Sequence, residues 1–214
     1  MTNLGRAILV ITLSIPIAGC RDKSEAPRDP AEVLSELNVG PALTGTPPQV
    51  TVLLPPSFSE VLDDAGGSFV TVAPNEFSPM IVGGHGEGAA RWGEREAPFA
   101  VLADFDGNGR RDVVLLQRSP SEGRVVAVLD ASPRPRVLEL RRWAQEDAGD
   151  TGPLTGFYLR LHPAGTLRVP DFGGGGGDTT VTLTHEGVEV VAYGQAARTY
   201  WYADGDFTSL TTAD

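Results

Sequence analysis

The chain has 214 residues, 41% of them hydrophobic, a formal net charge of −11 and a single cysteine. That length suits one domain with a leader and a spacer, and so acidic a balance excludes non-specific nucleic-acid binding and charge-driven docking on anionic lipid, both of which need clustered Lys and Arg. With 26 Gly and 17 Pro the composition favours short strands and tight turns over long helices, and one cysteine excludes an intrachain disulfide.

Residues 1–19 have the order of a secretory leader. Arg6 is the only charge, an apolar run follows from Ala7 to Ile17, and Pro16 breaks it. The run is too short for a permanent membrane span. Ile17-Ala18-Gly19-Cys20 then resembles the lipobox of bacterial lipoproteins: an aliphatic residue and two small ones before a cysteine. The resemblance implies cleavage before Cys20, lipid on its thiol, and a membrane-anchored envelope protein. Two or three acyl chains, at about 0.8 kcal/mol per buried methylene, anchor stably. Arg21 stands where inner-membrane retention signals of some bacteria place Asp, which favours the outer membrane, facing periplasm or surface. The alternative is an ordinary secreted protein with an incidental cysteine.

Residues 20–49 form the lipidated cysteine and a polar, Pro-rich tether, as a coil spanning roughly 30 Å. A single mainly-β domain is expected over 50–214. Ser57-Phe58-Ser59-Glu60 has the form of a capping box opening one short N-terminal helix, with Phe58, Val61, Leu62 and Ala65 on one face and Gly66-Gly67 ending it. Strands are predicted at 69–72, 99–104, 112–118, 124–129, 137–141, 156–161, 179–184, 188–193, 199–202 and 207–211. His185-Glu186-Gly187 is expected to close one tight hairpin, and Asp204-Gly205 another through a type I′ turn. Sequential hairpins predict an antiparallel sheet, and with one helix the fold class is mainly β (α+β).

The one chemically loaded segment is Asp104-Phe105-Asp106-Gly107-Asn108-Gly109-Arg110-Arg111-Asp112. Oxygen side chains recur at its positions 1, 3, 5 and 9, with glycine at 4 and 6. Calcium takes six to eight hard oxygens at about 2.3–2.6 Å, and alternate residues on a tight loop converge on one centre. Its first half resembles the EF-hand loop, but position 12 is Leu115 rather than Glu and the flanks read as strands. It is closer to the calcium hairpin of FG-GAP and VCBS-type repeats. That resemblance, over roughly residues 99–118, implies a structural Ca2+ held by the side chains of Asp104, Asp106, Asn108 and Asp112 and the backbone carbonyl of Arg110. The alternative is an Asx- and Gly-rich turn whose carboxylates accept backbone N–H groups without metal. No second such loop and no period recurs, so a full propeller is not expected.

Other constellations carry less. His85, His162 and His185 lack zinc spacing and suit turns or the surface. Asp63-Asp64 and Glu146-Asp147 suit solvated turns, and Gly173 to Gly177 a flexible loop without phosphate-loop context. Tyr200, Trp201, Tyr202 and Phe207 crowd one hairpin. Alternation sends Tyr200 and Tyr202 to one face and Trp201 to the other, one face being core and the other a possible contact surface for an envelope protein or glycan. The alternative is core and cross-strand packing on both. This C-terminal pattern resembles bacterial secreted proteins ending in an aromatic strand pair, which implies no activity. The expected function is a calcium-stabilised, non-enzymatic binding or structural module. The alternatives are a hydrolase of envelope polymers and an inhibitor or accessory subunit of an envelope complex.

Overall fold

A computed structural model of the chain describes residues 40–66, 68–83, 90–144, 156–169 and 179–213. It is mainly β, with every strand pairing antiparallel. Among the described residues the sheets do not close into a barrel or propeller.

The first strands are β1 (Ala42–Thr44) and β2 (Thr51–Leu53), which pair with each other. The ordered fold therefore takes in residues 40–49, which the sequence assigns to the tether. Gly40 packs against the backbone of Arg111, where a Cβ would meet Arg111 at 3.0 Å.

Helix α1 (Pro56–Asp64) follows. Phe58, Val61 and Leu62 are buried, as their spacing predicts. The capping box is not formed. Pro56 occupies the first turn, where its missing N–H costs nothing, so the helix starts two residues early, Ser57 lies inside it and no side chain caps it. A second short helix, α2 (Pro79–Val82), lies beyond the single one expected, after β3 (Val70–Thr71) and a 3-10 turn at Pro74–Glu76.

The main sheet has six strands. In order, β4 (Glu96–Ala97), β5 (Ala100–Ala103), β6 (Asp112–Arg118), β7 (Glu122–Leu129) and β8 (Arg136–Ala144) run side by side, and β3 pairs with the far end of β6. Val113 to Leu116 are completely buried, although successive side chains point to opposite faces. Both faces must therefore be covered. On one, the Arg124 guanidinium reaches α1's end, donating to the Ala65 carbonyl at 3.3 Å and lying 3.9 Å over the Phe69 ring. On the other, Trp143 lies across Gly123, where a Cβ would collide with the indole, and packs at a tilt against Phe157 with centroids 4.4 Å apart.

Phe157 belongs to the second sheet. Its order is β14 (Asp206–Ala213), β13 (Ala196–Ala203), β12 (Gly187–Ala192) and β9 (Phe157–His162). The β13–β14 turn matches its sequence, with φ of +53° at Asp204 and +88° at Gly205, both positive as a type I′ turn requires.

The other hairpin expected from the sequence does not form. β11 (Thr179–Leu183) pairs with β10 (Gly165–Val169), while β12 pairs with β9 and β13. His185-Glu186-Gly187 instead carries the chain from a small two-stranded sheet into the four-stranded one. Gly187 permits the crossing, because a Cβ there would fall 2.6 Å from the Tyr200 carbonyl oxygen. The small sheet packs Leu167 and Leu183 against Trp201 in a second core.

Candidate metal centre

The aspartate loop is the turn between β5 and β6, the best-buried part of the main sheet. Ala100 to Ala103 enter it from the core, and the Ala103–Asp112 pair closes the ladder beneath it. Leu115, at the twelfth position of an EF-hand-like count, lies completely buried on β6 and supplies no ligand. Gly107 and Gly109 hold φ of +75° and +81°, the left-handed conformation that other residues adopt at a cost.

Those two reversals turn the acids inward. One carboxylate oxygen each from Asp104, Asp106 and Asp112 lies within 4.8 Å of the others. Backbone donors fix all three. Asp112 accepts from Phe105 N at 2.9 Å and from Asp130 N at 2.7 Å. Asp104 Oδ2 accepts from Gly109 N at 2.8 Å, and Asp106 Oδ1 from Asn108 N at 3.1 Å. Asn108 Oδ1 accepts from Arg110 N at 2.8 Å, while its amide nitrogen donates to Asp106 Oδ2 and to the Asp130 carbonyl, both at 3.0 Å. This is the N–H pattern of an Asx-rich turn. It does not exhaust the oxygens, since a carboxylate oxygen has two lone pairs.

Two features exceed what a turn needs. Asp104 Oδ1 is buried and has no hydrogen-bond partner. Asp112 is completely buried, and desolvation pushes its carboxyl up to about 7 against the two backbone N–H bonds, with the charges of Asp106 and Asp104 adding to the rise. An ion of charge +2 offers both what they lack: a partner for the orphan oxygen and a counter-charge for the carboxylates.

Three neighbours of the loop escaped the sequence. Asp130, at the end of β7, receives the Arg110 guanidinium at 3.3 Å and gives its own N–H to Asp112. The His185 ring covers Gly107 so closely that a Cβ there would fall inside it. Phe105, completely buried, meets Phe207 edge-on at 6.0 Å, and Phe207 meets Tyr202 at 5.5 Å. Only folding brings these residues to the loop. The nearest hint was the local one, an Asp directly after a buried strand.

Core and cross-strand packing takes up most of the aromatic hairpin, on both of its faces. Tyr200 is buried in the main core and Trp201 in the small one, while Tyr202 and Phe207 are half-buried against each other and the loop. The cause is the crossing of β11: its sheet covers the face on which Trp201 points. His162 sits on the surface, with Nδ1 2.9 Å from the Pro163 carbonyl, and Asp64 pairs with Arg134 at 2.5 Å. Cys20, His85, Glu146, Asp147 and the glycine run at 173–177 lie outside the described residues. Among the described residues no helix is long and apolar enough to cross a membrane. No family model matches the chain, and neither a curated protein nor a solved structure shows significant similarity to it.

Proposed function

We propose that this protein is a lipid-anchored envelope lipoprotein whose β domain is stabilised by one calcium ion in the 104–112 loop and acts as a non-enzymatic binding or structural module. The observation that carries the calcium part is Asp104 Oδ1, a buried acceptor with no donor, beside two further carboxylates. The ligands would be Asp104, Asp106 and Asp112, with the Asn108 side-chain oxygen and the Arg110 carbonyl. Hard carboxylate and carbonyl oxygens suit Ca2+ over softer metals. The ion's role is structural: it neutralises converging acids and holds the β5–β6 turn. The anchor rests on Ile17-Ala18-Gly19-Cys20 after an apolar run.

Calcium at a hundredfold above its Kd stabilises the fold by about 2.7 kcal/mol, which raises Tm by roughly 5–11 °C for a chain of this size. EDTA should lower Tm and calcium, more than magnesium, should restore it. Asp104→Ala with Asp106→Ala should abolish the response, and a calcium-independent Tm shared by wild type and variant would refute the site. Cys20→Ser should move the protein from the membrane fraction to the soluble one; retention on the membrane would overturn the anchor.

A further inference from the structure

A loop that gathers carboxylates for a metal must keep its own cations off them, because a guanidinium is a ready partner for a carboxylate. The 104–112 loop carries such a group in Arg110, whose carbonyl is one of the proposed ligands. Among the described residues, Arg110 pairs with none of the loop's acids. Asp104 Oδ1, buried in the same loop, takes no hydrogen bond. The Arg110 guanidinium turns instead to Asp130, with Nη1 3.3 Å from Oδ1.

Asp130 lies just past the end of β7 and reaches the loop three times. Its N–H donates to Asp112 Oδ1 at 2.7 Å, and its carbonyl accepts from the Asn108 amide nitrogen at 3.0 Å. The same nitrogen donates to Asp106 Oδ2 at 3.0 Å, so its two acceptors fix which end of the Asn108 amide is oxygen. The third contact is the carboxylate on Arg110. It alone depends on the residue type, since the other two are made by the backbone and persist through a substitution.

We propose that Asp130 is a positioning residue of the cation site, its carboxylate holding the Arg110 guanidinium away from Asp104, Asp106 and Asp112 so that the loop's own arginine does not compete with the metal. This rests on the calcium reading of the loop and adds the residue that keeps the site open to an ion. The fixed part of Arg110 is its backbone, whose N–H donates to Asn108 Oδ1 at 2.8 Å, so the side chain is free to follow its counter-charge. Without a charge on residue 130, the carboxylates of its own loop become its partners, and an incoming ion must displace it.

The test is calcium titration by calorimetry on the full chain carrying Cys20→Ser, run as a double-mutant cycle. Asp130→Asn should raise Kd about tenfold, whereas in an Arg110→Gln background the same change should raise it about threefold or less, the part owed to the lost charge alone. Asp130→Glu keeps the charge and should stay within about threefold of wild type. Melting curves in EDTA should show no loss of stability, because the pair is partly exposed and contributes little without the ion. Equal fold-changes in the two backgrounds, or a Kd for Asp130→Asn within about twofold of wild type, would overturn the proposal. A lower Tm in EDTA together with an additive cycle would mark a residue that only props the fold, and would overturn it too. No calcium uptake by the wild-type chain removes the site and this proposal together; uptake with equal fold-changes removes the proposal alone.

Discussion

Gly107 and Gly109 have almost the same backbone conformation but different surroundings, which separates strain from contact. Alanine at φ of +81°, with open space beyond Gly109, pays only for the left-handed backbone, about 1–2 kcal/mol. Alanine at Gly107 pays the same strain and must also expel the His185 ring from its seat on the loop. Losing that packing adds about 1–2 kcal/mol, the coupling expected of residues in contact. Gly107→Ala should therefore cost about twice as much as Gly109→Ala in urea unfolding, with an unchanged m-value. His185→Ala opens the space, so Gly107→Ala in that background should fall to the Gly109→Ala cost. Equal costs for the two glycine variants, or no rescue by His185→Ala, would refute the inferred contact between the loop and the β11–β12 crossing.

Burial sets a pH dependence on the metal-free fold. The Asp112 carboxyl titrates near 7 when folded and at about 3.9 when unfolded, so the folded state keeps a proton that the unfolded state releases. Its contribution is complete below pH ~4 and is lost as pH rises through 7, about 4 kcal/mol in all. In EDTA, Tm should fall from pH 5.5 to pH 8 by more in wild type than in Asp112→Asn; equal slopes would exclude Asp112 as the cause. Arg124 is a buried cation that bonds Gln117 Oε1 at 2.9 Å. Arg124→Met should cost about 1–3 kcal/mol by orphaning that oxygen, and Arg124→Met with Gln117→Leu should recover to within about 1 kcal/mol by urea unfolding. Failure of the second change to recover stability would place the loss elsewhere.

What the sequence disclosed was local. Short β-branched and apolar runs such as Asp112–Arg118 carry their own signal, and the Asp204-Gly205 turn carries its conformation in its residue types. The loop's glycines and acids did the same for the candidate site. Pairing was less legible. Thr179–Leu183 and Gly187–Ala192 are adjacent alternating segments, and proximity favours a hairpin, yet β10 claims the first and β9 and β13 the second. What decides between them is burial of Leu167, Leu183 and Trp201 together, a long-range gain that no window of sequence contains. The packing on both faces of the aromatic hairpin has the same origin, because the small sheet turns its outer face into an inner one. β1, β2 and β4 are too short for a periodic signal.

The position of the loop also bears on why an ion there would matter beyond its own turn. The nine residues 104–112 touch three segments remote in sequence: Asp130 at the end of β7 through Asn108, Arg110 and Asp112, the β11–β12 crossing through His185 on Gly107, and the β13–β14 hairpin through Phe105 on Phe207. Two of these lie outside the main sheet. Mutual repulsion among Asp104, Asp106 and Asp112 acts at the point where these contacts converge, so whatever relaxes the acids outward pulls on all of them at once. A divalent cation reverses that force at a single place. On the proposed function the ion therefore acts less as a plug in one hairpin than as a clip between the main sheet and the elements carrying β11 to β14. That is where a domain without disulfides gains most from one bound ion.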